Sequence, residues 1–126
     1  MASIDLDGFG HVEFEAVTGT KTLDAGDSGV VQNVTASTVI TLPASAAAVA
    51  GVTEIIRIGD SGLTVEIAPN SADKIVGAGL TAADDKSIYF TNQPAGSYIV
   101  LTANAAATTD SAWVVQRVLG TVTREA

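Results

Sequence analysis

Hydrophobic and polar positions alternate with a period of two along most of this chain, which predicts a series of short β-strands. Val12, Phe14 and Ala16 alternate with His11, Glu13 and Glu15, so the first strand is expected to bury the apolar set. On that reading His11 is a solvated strand residue. Residues 21–23, 29–34 and 38–42 continue the pattern. They are separated by Asp24-Ala25-Gly26-Asp27-Ser28-Gly29, where short polar side chains and glycines favour a turn, and stopped by Pro43, which has no N–H for a ladder. The Ala-rich run 44–51 is the one stretch with helical propensity and is read as a short crossover or compact loop.

Residues 52–58 place Val52, Glu54, Ile56 and Ile58 on one face and Thr53, Ile55 and Arg57 on the other. One face then meets the core, and Ile55 is expected to pack against a neighbouring subunit. Gly59-Asp60-Ser61-Gly62 is a turn, and Leu63, Val65 and Ile67 alternate with Thr64 and Glu66. Together, 52–67 are expected to form a β-hairpin with a four-residue loop. Strands follow at 74–76, 87–91, 97–102 and 112–119, with turn chemistry between them. About nine or ten short strands with frequent turns point to an all-β, single-domain antiparallel β-sandwich or jelly-roll-like fold. Its parts are an N-terminal arm at 1–10, the sandwich at 11–120 and a polar tail at 121–126.

Composition narrows the function. The apolar mass is Val, Ile, Leu and Ala among many Thr and Ser, which suits pleated strands. Six Lys and Arg against fourteen Asp and Glu leave a formal charge of −8, so nucleic acid and anionic membranes are not expected partners. Residues 1–10 lack the basic start and apolar stretch of a signal peptide, and no apolar run has the length to span a bilayer, so synthesis in a cytoplasm is expected.

Catalytic signatures do not appear. With one histidine and no cysteine, a nucleophilic triad has to pass through His11, and no Gly-x-Ser-x-Gly elbow accompanies it. Gly77-Ala78-Gly79 lacks the rest of a dinucleotide fingerprint, and Asp5-x-Asp7-Gly8 lacks the rest of a calcium loop. Asp24, Asp27, Asp60, Asp73, Asp84 and Asp85 all fall in turns, where carboxylates cap backbone N–H groups and face water. No enzymatic activity, cofactor or metal is expected. Trp113 opens an apolar strand and is assigned to the core.

The order of motifs resembles small β modules of tailed-bacteriophage virions. It runs from Thr22-Leu23 and Asp27-Ser28-Gly29 through Ile40-Thr41-Leu42-Pro43 and an Ala-rich step to Gly51. Ile67-Ala68-Pro69-Asn70-Ser71-Ala72-Asp73-Lys74-Ile75 and a Trp-containing strand from Trp113 to Gly120 complete it. Such modules occur in capsid decoration (cement) proteins and in head or tail fibres. The absence of a repeat or coiled-coil region favours decoration. The resemblance implies a virion protein, made in the host cytoplasm, that binds the outer surface of the major capsid protein lattice as a homotrimer and stabilises the head. The expected partner contacts are Ile4, Leu6 and Phe9 in the arm, Ile55 and Arg57 on the exposed strand face, and Arg124 in the tail. The alternative is a receptor- or glycan-binding fibre module using Tyr89, Tyr98 and Gln93. A hydrolase built on turn carboxylates is the third class considered.

Overall fold

A computed structural model describes residues 13–45, 51–70, 73–77, 79–80, 86–104 and 112–125. Among them are eleven strands: β1 (Phe14–Val17), β2 (Lys21–Thr22), β3 (Val31–Val34), β4 (Thr38–Thr41), β5 (Thr53–Ile58), β6 (Thr64–Ala68), β7 (Lys74–Val76), β8 (Ile88–Thr91), β9 (Tyr98–Asn104), β10 (Ala112–Leu119) and β11 (Val122–Arg124). They form a front sheet ordered β1-β3-β5-β9-β10-β7 and a back sheet ordered β11-β8-β6-β4-β2. The fold is all-β and single-domain, with the two sheets packed face to face.

The sheets are mixed rather than antiparallel. The chain passes from front to back at every step up to β9, so β1, β3 and β5 stack in parallel in front, and β2, β4 and β6 stack in parallel behind. A parallel pair needs a connection that crosses over, and here each connection runs through the opposite sheet. Corners lock each coil onto the one before. The Thr35 N–H donates to the Val17 carbonyl (3.0 Å), and the Gly59 N–H donates to the Val34 carbonyl (2.7 Å). The antiparallel pairs β5–β9, β9–β10, β6–β8 and β8–β11 then extend both sheets.

Two expectations are corrected by this topology. Residues 52–67 do not make a hairpin, because β5 lies in the front sheet and β6 in the back, each beside a parallel neighbour. The turn between them is a corner from sheet to sheet. β1 also faces the opposite way to the predicted strand: Phe14 is 55% exposed and Val17 is buried. Its register against β3, Phe14 beside Val31 and Glu15 beside Gln32, sets this orientation. Glu15 then meets the Lys21 ammonium in an ion pair. The Ala-rich crossover at 44–51 falls largely outside the described residues, as do His11, Asp84 and Asp85.

The core is the space between the sheets. Ile56, Ile58, Ile99, Leu101 and Trp113 from the front meet Ile40, Val65, Ile67, Ile88 and Phe90 from the back, all essentially without solvent contact. Trp113 is a core residue, as its place in the pattern predicts, and its indole N–H donates to the Pro43 carbonyl (2.9 Å) just beyond β4. Gly120 makes the corner from β10 to β11 at φ +103°, with the Ser97 side chain 3.0 Å from where a Cβ would stand. Gly120→Ala is expected to cost about 1–3 kcal/mol through this left-handed backbone and the crowding of Ser97. Thermal unfolding followed by circular dichroism checks it; an unchanged midpoint contradicts it.

Candidate functional site

The outer face of the front sheet carries two rows of side chains across β1, β3, β5, β9 and β10. Phe14, Val31, Ile55, Val100 and Arg117 are register neighbours in the first row. Ala16, Asn33, Arg57, Tyr98 and Leu119 are register neighbours in the second. Strand alternation creates the rows: Ile56, Ile58, Ile99 and Leu101 point into the core, so their neighbours must point out. Phe14, Val31, Ile55, Arg57, Tyr98 and Val100 line an open depression of about 190 Å³. Phe14 and Leu119, at 55% and 56% exposure, stand at opposite sides of the sheet face.

Arg57 is held in place within this apolar surface. Its Nη1 donates to Asn33 Oδ1 (2.6 Å), and its guanidinium carbon lies 5.7 Å from the centre of the Phe14 ring. A cation over an aromatic face gains about 0.5–1 kcal/mol at an exposed site. Gly59 lies close against Asn33: a Cβ there would stand 2.9 Å from the Val34 carbonyl and 3.0 Å from the Asn33 amide, so a larger residue at 59 would crowd the amide that holds Arg57. An arginine fixed in this way loses little side-chain freedom when a partner arrives.

A second polar cluster lies at the β1–β2 end of the sandwich, running from the partly exposed Glu15 and Lys21 to the buried Gln32 and Glu54. Lys21 pairs with Glu15, donates to Gln32 Oε1 (2.8 Å) and lies 3.8 Å from Asp27. Glu54 points inward from β5 with no solvent exposure, and neither carboxylate oxygen has a hydrogen-bond partner among the described residues. Burial pushes its pKa up to about 8, and the nearby charges of Asp27 and Asp24 push the same way against Lys21. Perturbed carboxylates often mark active sites. Glu54, sealed from solvent, has no surface on which to meet a substrate. Among the described residues no group of His, Cys, Asp or Glu is arranged to hold a metal ion.

Comparison with protein-family models, with curated proteins and with solved structures yields no match to this chain. The site therefore rests on geometry.

Ile55 and Arg57, singled out from the sequence, both lie on this outer face and line the same depression. Arg124 does not join them. Within the segment expected to be a tail, β11 pairs with β8, and Arg124 stands at the inward register position beside Ile88. Its Nη2 donates to the Ile75 carbonyl (2.5 Å), so its head group ties β11 to β7 rather than facing a partner. Ile4, Leu6 and Phe9 lie outside the described residues.

The residues considered for a glycan site are dispersed. Tyr98 is on the front sheet, Tyr89 is on the back sheet beside Glu66, and Gln93 accepts from the Thr121 N–H at a corner. Phe14, Val100 and Leu119 complete the face together with Arg117, and those three are not expected as partner contacts from the sequence. Val100 carried a signal, because residues 98–102 are apolar at both alternating sets of positions. A strand that buries one face only does not require that.

Proposed function

We propose that this protein is a structural virion component, a capsid decoration protein that binds the outer surface of the major capsid lattice and stabilises the head. The observation that carries this reading is the mainly apolar depression on the front sheet, formed by Phe14, Val31, Ile55, Tyr98 and Val100 with Arg57 already oriented among them. An apolar depression with exposed Phe14 at its rim and Leu119 on the same face suits docking of a partner surface. Binding through a preset sheet face is passive work. It needs no titrating group, and it stabilises an assembled lattice by mass action because the unassembled subunit does not offer the seam.

A specific interface of this kind buries about 1,000 Å² or more, so the depression is the centre of the contact rather than its whole extent. The resemblance implies trimers at threefold positions. In this reading the front face meets the lattice, and trimer contacts lie elsewhere on the chain. The fibre reading draws less support, because Tyr89 and Tyr98 stand on opposite sheets and do not make a common platform.

Quantitative mass spectrometry of purified particles tests the proposal. A copy number near that of the major capsid protein, or a simple large fraction of it, is expected. A handful of copies per particle would overturn decoration and move the protein to a fibre or tail tip.

A further inference from the structure

The outer face of the front sheet differs in charge from the chain as a whole. The chain has fourteen acidic residues and six Lys and Arg. None of the acidic residues stands at an outward strand position of the front sheet among the described residues, whereas Arg57 and Arg117 do. On the back sheet an outward row runs from Val39 through Glu66 and Tyr89 to Thr123. The front face is thus an apolar, cationic surface on a protein whose formal charge is −8.

We infer that the front face docks a carboxylate-bearing, apolar-centred surface of a different protein, and not a second copy of this chain. Charge complementarity selects that occupant. A contact between two front faces would set two arginine-bearing surfaces together with no outward strand carboxylate on either to meet them, and like charges juxtaposed in an interface are costly. A partner that carries carboxylates at the contact supplies the opposite charge at short range, which a second copy's front face does not. Arg57 is built for a carboxylate. Asn33 takes one of its five N–H groups and fixes the plane of the fork, and a carboxylate accepts two parallel hydrogen bonds from such a fork. Phe14, Ile55 and Val100 supply the apolar centre that desolvates the pair.

This inference rests on the reading of the front face as a docking surface, and its test does not need virions. The probe is a fluorescein-labelled random copolymer of glutamate and tyrosine, titrated with the full chain at pH 7 and followed by anisotropy. Binding that weakens as salt rises is expected. Arg57→Ser combined with Arg117→Ser is expected to weaken it about tenfold, and the exposed-site change Arg117→Ser alone by about threefold. Lys86→Ser, which removes one charge just before β8, is expected to leave it unchanged. Circular dichroism melts establish that each variant is folded. Equal binding by the folded arginine variants overturns the inference. So does light scattering in which the double variant converts an oligomeric wild type to monomer, because the face then belongs to a second copy. If the probe result fails while particle copy number is high, decoration uses another surface. If copy number fails while the probe result holds, the face serves an acidic partner outside the capsid.

Discussion

Glu54→Gln is expected to stabilise the protein by an amount that grows as pH rises from 4.5 to about 8. The buried carboxyl of Glu54 keeps its proton in the folded chain up to about pH 8, while in the unfolded chain it ionises near 4.5. Between those values the folded state therefore holds one more proton than the unfolded state. The wild type loses about 1.4 kcal/mol of stability per pH unit across that window from this group, and nothing further above it. Glutamine carries no ionisation, so the gap between variant and wild type should open to roughly 4–5 kcal/mol by pH 8. Every other charged side chain is the same in both proteins, so comparison of the two largely cancels their contribution. Urea unfolding at intervals of one pH unit measures the gap. Parallel stability curves from pH 4.5 to 8 would contradict the assignment of Glu54 as a buried neutral acid.

Trp113→Ala is expected to cost about 3–5 kcal/mol, a large part of the net stability of a domain of this size. The indole is fully buried between the sheets, and its removal leaves a void among residues already held by their ladders. It also strands the Pro43 carbonyl, whose hydrogen bond ties β10 of the front sheet to the end of β4 behind. Trp113→Phe separates the two effects. It keeps most of the packing and is expected to cost less than the alanine change, with about 1–3 kcal/mol assigned to the unpaired carbonyl. Chemical unfolding must be followed by circular dichroism, because Trp113 is the only tryptophan in the chain. A loss below about 1 kcal/mol for Trp113→Ala would remove it from the centre of the core.

Most strands were legible in the sequence: those expected at 52–58, 63–67, 97–102 and 112–119 are found as Thr53–Ile58, Thr64–Ala68, Tyr98–Asn104 and Ala112–Leu119, the first three burying alternate positions. Their partners were not legible. A strand, a four-residue turn and a second strand read the same whether the chain folds back on itself or crosses to the facing sheet. At 59–62 the choice is made by neighbours distant in sequence, with β3 beside β5 and β4 beside β6. β1 illustrates the other failure. Phe14 was assigned to the core from its hydrophobicity, yet pairing with β3 turns it outward and turns Glu15 toward Lys21. An apolar residue on an outer face resembles a core residue until the register is known.

Part of the candidate face was legible for the same reason. Ile55 and Arg57 stand out because neither face of residues 52–58 is purely apolar, so one meets the core and the other, with Ile55, is free to meet a neighbour. Arg124 falls in the segment expected to be a polar tail, and such a tail can order on a partner and reach across subunits. The inward position of Arg124 follows from pairing with β8, which no local pattern records.

The most direct test of the front face as the virion-binding surface uses the lack of cysteine in this chain. Leu119→Cys places a thiol on the front face at an exposed position, and Thr91→Cys places one at an exposed position of the back sheet. Maleimide labelling is measured on the free protein and on purified particles carrying each variant. The expected result is that both thiols react in the free protein, and that on particles the thiol at 119 is shielded while the one at 91 still reacts. Full reactivity at 119 on the particle would contradict the assignment of this face to the capsid.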